Sequence, residues 1–251
     1  MATAIYAFAQ FSDGTFGSFA NASVTAETAT EIQTGGTGIN QASGVSLGQA
    51  FAGKTVVALS CLVQGDDAQN SAFSYAYILG PTGEMLCPVQ GGDYSGVGLP
   101  RLKKPVQCVP GVKLFAAWDE AGDAVSLASM AVYCASGKSA IFSIKAVDAT
   151  KTSMTDVLTG GTVGQSLAGE RIVCSYQTYP ATKGLNDNQA GNSGFYIESS
   201  DGALKLMIPP IAGNGAGANG GNYTQGSSAW AEYPVAVAIG QNDTLSVMAG
   251  L

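Results

Sequence analysis

The chain contains no histidine. That absence excludes an imidazole general base, a His-ligated zinc and a histidine pH switch together. Charge is scarce as well: Asp, Glu, Lys and Arg make up 12% of the residues, and no lysine or arginine precedes Lys54. A secretory leader needs basic residues ahead of an unbroken apolar run. The opening stretch MATAIYAFAQFSDG has no basic residue and is interrupted by Gln10, Ser12 and Asp13. No segment approaches the roughly 20 apolar residues of a membrane-spanning helix. The expectation is a protein made in the cytosol with no membrane partner. Eighteen acidic residues against eleven basic ones give a formal charge of −7, which argues against nucleic acid, whose phosphates demand clustered Lys and Arg. Cys61, Cys87, Cys108, Cys134 and Cys174 show neither CxxC nor metal-finger spacing, and an odd number cannot all pair within one chain. Most of them read as buried small hydrophobes, with intersubunit disulfides or a reactive thiol as the alternatives.

What is present is an apolar share of 46%, enough for a packed core, set among 34 glycines and 9 prolines in 251 residues. That length suits one large domain or two of half the size. An internal repeat favours two. GQAFAGKTVV (Gly48 to Val57) matches GQSLAGERIV (Gly164 to Val173) at five of ten positions. Upstream, Thr34-Gly35-Gly36-Thr37 matches Thr159-Gly160-Gly161-Thr162. Downstream, Asn70-Ser71-Ala72-Phe73 aligns with Asn192-Ser193-Gly194-Phe195 and Trp118 with Trp230, and at the chain start Ala4-Ile5-Tyr6-Ala7 aligns with Ala131-Val132-Tyr133-Cys134. The separations run from 112 to 127 residues, as loop insertions would make them. Two copies of one unit follow, residues 1–129 and 130–251.

Within each unit the local pattern is that of strands. Thr55 to Val63 and Arg171 to Tyr176 are rich in β-branched and apolar residues, and Phe73 to Tyr77 alternates large and small ones. Lys113 to Trp118, Ile141 to Val147, Leu204 to Ile208 and Val235 to Ile239 read alike. Turn signals separate them at Asp13-Gly14, Gly80 to Gly83, Ser200-Asp201-Gly202 and Gly240 to Asp243. Ala26 to Gln33 and Lys151 to Leu158 are the stretches expected to form a helical turn. Seven or eight short strands per unit predict an all-β fold, two tandem antiparallel β-sandwiches of jelly-roll type.

Motifs that promise chemistry do not survive their context. Gly48 to Thr55 spells GxxxxGK[ST], but a phosphate-binding loop follows a buried strand and opens a helix. Here a β-branched segment follows, and the second copy replaces Lys54-Thr55 by Glu170-Arg171. Gly215 to Gly220 spells GxGxxG without a flanking strand and helix. The run Gly213 to Gly221 has no carboxylate for calcium and reads as a loop matching Gly91 to Gly98. Asp66-Asp67, Asp119-Glu120 with Asp123, and Asn186-Asp187-Asn188 lie in expected loops, where carboxylates are simply solvated. No catalytic residue, cofactor or metal site is expected, and the chain is not read as an enzyme. Arg101, Lys103, Lys104 and Lys113 place four of the eleven basic residues within thirteen positions. On so acidic a chain they are a candidate contact for an acidic partner, or a charged strand edge that blocks aggregation.

The duplicated, histidine-free, Ala/Gly/Ser/Thr-rich β-pattern resembles virion structural proteins. It is similar both to the head decoration or cement proteins of tailed phages and to double jelly-roll capsid subunits. The resemblance implies a capsid decoration protein that stabilises a shell through contacts with other virion proteins and with copies of itself, located in the virion after synthesis in the host cytoplasm. The alternatives are a major capsid protein with duplicated barrels and a carbohydrate-binding adhesin stacking sugars on Tyr94, Tyr176, Tyr179, Tyr223 or Trp230.

Overall fold

The fold is drawn from a computed structural model. It describes residues 3–24, 28–33, 44–64, 71–89, 91–92, 99–120, 127–145, 150–178, 194–208 and 228–248. The chain is all-β, as the turn spacing predicts, and it divides into two compact units, Met1–Glu120 and Ala121–Leu251.

In the first unit, β1 (Thr3–Phe11) pairs antiparallel with β2 (Phe16–Val24) on one side and with β4 (Thr55–Gln64) on the other. The far edge of β4 is shared by the two-residue β7 (Gly91–Gly92) and by β8 (Arg101–Gln107). The second sheet runs β3 (Thr30–Ile32), β9 (Lys113–Glu120), β5 (Ser71–Leu79), β6 (Met85–Val89). Ile5, Ala7, Ala9 and Phe11 are buried at every second position of β1, the period of a strand with one face on a core. Phe11 and Phe19 close on Phe51 at ring-centroid distances of 4.7 and 5.3 Å.

The second unit repeats that order. Its first sheet runs β11 (Ser139–Lys145), β10 (Leu127–Cys134), β14 (Arg171–Thr178), β17 (Ser228–Ala238), with β13 (Thr155–Asp156) added beside β11. Its second sheet runs β12 (Thr152–Ser153), β18 (Thr244–Met248), β15 (Gly194–Glu198), β16 (Leu204–Ile208). Met130, Val132 and Phe142 from one sheet pack with Phe195, Ile197, Leu245 and Val247 from the other. Each unit thus has the two-sheet order of a jelly roll whose first strand takes the place of the last. Strand β10 is whole within the second unit, so the division falls after Glu120 and not after residue 129, which would cut that strand.

The ladders give a residue-by-residue correspondence. Val56 lies opposite Phe11 and Val106, and Ile172 lies opposite Cys134 and Val237. Ile78 faces Leu114 as Ile197 faces Leu245. Three sequence matches shift accordingly. Cys134 occupies the place of Phe11 and not of Ala7, and Phe195 that of Ala76 and not of Phe73. Trp118 sits in β9, whose counterpart is β18, whereas Trp230 sits in β17, the counterpart of β8. Short Ala-rich strings match at several offsets; turns and bulges fix the register, and they fix a different one.

The helical turns also lie elsewhere than expected. Thr30 to Ile32 and Thr152-Ser153 are strands, as their β-branched residues favour, and the helices among the described residues are α1 (Leu47–Ala50) and α2 (Val163–Leu167). Both begin with a capping box, Ser46 with Gln49 and Thr162 with Gln165, in which the glutamine side chain returns to the cap backbone. The Gly48 and Gly164 amides then donate to the carbonyls of Val112 and Asp243, at 2.8 and 3.0 Å. No side chain has room there: a Cβ on Gly48 would stand 2.0 Å from the Val109 carbonyl oxygen, and one on Gly164 2.5 Å from that of Gln241. We predict that Gly48→Ala and Gly164→Ala each destabilise the protein by about 1–3 kcal/mol, the usual cost of overpacking. Urea denaturation measures this, and unchanged midpoints would contradict the close approach.

Candidate functional site

The GxxxxGK[ST] stretch is where sequence chemistry is most explicit, so its geometry comes first. Six of the backbone amides in the stretch are already committed. Gly48 donates to Val112, Gln49 and Ala50 to Ser46, Phe51 to Leu47, Gly53 to Cys108 and Lys54 to Phe51. Gly53 turns the chain at φ +83° into β4, and Gly169 does so at +81° into β14. The Lys54 ammonium is held by Asp13 at 3.0 Å and by the Thr15 hydroxyl. The stretch is a sheet-crossing turn.

The surrounding hydrogen bonds recur in both units. Gly53 to Cys108 is matched by Gly169 to Ile239, both at 2.9 Å, and Cys108 to Lys54 by Ile239 to Glu170. Ser12 to Thr55 is matched by Ala135 to Arg171, and Gly83 to Gly80 by Gly202 to Ser199. Among the described residues the ion pairs do not recur. Where the first unit has Lys54 with Asp13, the second has Glu170 accepting from the Ser136 hydroxyl at 2.6 Å. Lys113 with Glu31 at 3.4 Å corresponds to Thr244 and Ser153. The pairs of the second unit, Lys151 with Glu198 and Lys205 with Asp243, both at 2.6 Å, stand where the first has Ala29 with Leu79 and Leu86 with Val112. In each case both partners differ.

The basic cluster separates along the same lines. Arg101, Lys103 and Lys104 are exposed on β8, at the edge of the first sheet, while Lys113 belongs to β9 of the other sheet and is engaged by Glu31. β8 departs from its ladder between Val106 and Arg101, and β17 between Val237 and Glu232, so Leu102 to Pro105 correspond to Tyr233 to Ala236. The same edge is therefore basic in the first unit and carries Glu232, Pro234 and a 76% exposed Val235 in the second. Sequence reading missed the β17 edge because nothing in Glu232 to Ala236 resembles Arg101 to Pro105; only the register joins them.

Inside the second unit the Ser175 hydroxyl meets the Tyr233 hydroxyl, and the Gln177 amide donates to Ser175. Their counterparts in the first unit are the apolar Leu59, Cys61 and Leu102. Burial raises the Tyr233 hydroxyl to about 12, against a smaller opposing effect of the Ser175 hydrogen bond, so it stays protonated and serves as a packing partner. The five cysteines are free and buried. Burial raises the thiols of Cys87, Cys108 and Cys134 to about 11 and that of Cys61 further, which leaves them without thiolate character.

Among the described residues, no three His, Cys, Asp or Glu side chains gather as a metal site would require. Asp66-Asp67, Asp123, Asn186 to Asn188 and Gly213 to Gly221 lie outside the described residues, as do Tyr94, Tyr179 and Tyr223 and the side chains of Asp119, Glu120 and Trp230. Tyr176 is buried and offers no face to a sugar. No family model, curated protein or solved structure matches the chain.

The Asp13 turn gives a direct test of these electrostatics. Its carboxyl lies at about 2, held down first by the Thr15 hydroxyl, then by the Thr15 amide and by Lys54. Because the folded value is depressed, the turn's contribution is complete above the unfolded value of about 3.9 and is lost as pH falls toward 2. A carboxyl-carbon NMR titration should place the Asp13 midpoint near 2. Thr15→Ala should raise it more than Lys54→Ala, and a midpoint in the usual range would contradict the turn.

Proposed function

We propose that the chain is a virion structural protein that acts by contact: two copies of one duplicated unit forming a capsid decoration or cement protein, bound to shell proteins and to copies of itself. The observation that carries this reading is the contrast between the repeated scaffold and the unrepeated surface. Turns, caps and sheet order recur down to single amides. Ion pairs and strand edges differ at the corresponding positions. Two copies kept alike within and unlike without suit a protein that must meet two different neighbours.

The β8 edge is the surface offered to the shell. Arg101, Lys103 and Lys104 project from it on a chain whose net charge is −7. An acidic surface on a neighbouring shell protein is the complementary partner. Pro105 and the lysines also keep this edge from extending into another sheet, so docking there proceeds through side chains.

A second reading, that the chain builds the shell itself, draws support from the jelly-roll strand order found twice in one chain. Fractionation separates both from a free protein. The chain should band with intact particles in a density gradient. A decoration protein leaves a closed shell behind when stripped by salt, whereas a shell subunit does not. Lys103→Glu with Lys104→Glu should weaken binding to stripped shells by at least about tenfold at low salt, with less effect as salt screens the pair. A chain found only outside particles would overturn the proposal.

A further inference from the structure

The basic edge strand does not run straight past its neighbour. Leu102 to Pro105 of β8 stand opposite a single β4 residue, Val57, between the pairs Val56 with Val106 and Ala58 with Arg101. A strand that arches out of its ladder in this way carries its amides away from the usual acceptors, and they need others. Pro105 has no amide to place. Those of Lys104 and Lys103 both donate to the sulfur of Cys87, which is 1% exposed on β6. Burial raises the Cys87 thiol to about 11 against these opposing hydrogen bonds, so it keeps its proton and donates in turn to the Pro88 carbonyl, at 3.1 Å. β6 is an edge of the second sheet and β8 an edge of the first. One side chain thus ties the two edges together where the cations stand.

The second unit meets the same need with different chemistry. Register places Leu206, whose side chain accepts nothing, where Cys87 stands, and Tyr233 where the buried Leu102 stands. The arch there, Tyr233 to Ala236, is fastened within its own sheet by the Tyr233 hydroxyl on Ser175. The sulfur acceptor and the hydroxyl are exchanged together, and each arch keeps a polar anchor.

We propose that Cys87 is the positioning residue of the shell contact: its sulfur holds the backbone of Lys103 and Lys104 so that their ammonium groups meet an acidic neighbour on an arch already shaped. This deepens the shell-binding reading and rests on it. An arch left loose would have to be ordered at the moment of binding, at the expense of affinity.

Cys87→Ala and Cys87→Ser are close in volume and differ by one polar atom, so the pair separates fastening from packing. Hydrogen exchange by NMR on the full chain should show the Lys103 and Lys104 amides at least about tenfold faster in Cys87→Ala than in wild type, with part of the protection recovered in Cys87→Ser. The amides of Gly53 and Cys108, which donate to other carbonyls, should be unchanged. Binding to salt-stripped shells should weaken at least about fivefold in Cys87→Ala and less in Cys87→Ser. Its dependence on salt should keep the wild-type slope, because no charge is removed, whereas Lys103→Glu with Lys104→Glu changes that slope. Unchanged exchange at Lys103 and Lys104 in Cys87→Ala would overturn the inference. So would full shell affinity in a variant whose two amides exchange fast. A wild-type chain that binds no shell, yet shows the expected exchange, would overturn the shell reading and with it the role of Cys87 in contact, but not the fastening.

Discussion

The fold of each unit hangs on one close approach of backbone to backbone. Between β3 and β4 the chain leaves one sheet for the other, and between β8 and β9 it returns. Both crossings are fastened together at Gly48, whose amide donates to Val112, and at Gly53, whose amide donates to Cys108. A sandwich has no ladder between its two sheets, so these few hydrogen bonds fix sheet spacing where apolar packing alone would tolerate sliding. Glycine is required at Gly48 by space and at Gly53 by its positive φ. Gly164 and Gly169 meet both demands again in the second unit. The recurrence of G-Q-x-x-A-G thus has a mechanical cause, and its likeness to a phosphate loop is incidental.

With the crossing fixed, the rest of the surface is free to vary. Lys54 and Asp13 differ together from Glu170 and Ser136, and the other three ion pairs differ in both members likewise. The interior varies too, and in one place a whole set is exchanged: Leu59, Cys61 and Leu102 against Ser175, Gln177 and Tyr233. A single polar replacement there would strand an unpaired hydroxyl or amide at a cost of about 1–3 kcal/mol. Joint replacement avoids most of it. The edges, bound by no such constraint, diverge most, and the β8 edge carries the proposed contact.

Much of this is legible in the sequence. Turn residues at Gly14, Gly83 and Gly202 are set by positive φ, a requirement local enough to read from sequence, and the strands between them follow from their β-branched runs. The pairing of Gly48 with Gly164 was legible because one backbone contact demands glycine in both. Register was not. Trp118 and Trp230 align by eye yet belong to strands that do not correspond, because nothing local tells an edge strand from its neighbour in the other sheet. The basic residues were found, but their division between an exposed strand and the Lys113–Glu31 pair depends on contacts far apart in sequence. Val235 carried no signal at all: an isolated valine after a proline becomes informative only opposite Lys104.

The claim on which the rest depends is that one crossing device fastens both units. Amide hydrogen exchange followed by NMR reads it directly at Gly48, Gly53 and Cys108, and at Gly164, Gly169 and Ile239. All six donate to backbone carbonyls, so all six should exchange slowly, with matched protection between counterparts. Fast exchange at Gly48 and Gly53 beside slow exchange at Gly164 and Gly169 would show that the first stretch is an open loop and would contradict the common scaffold.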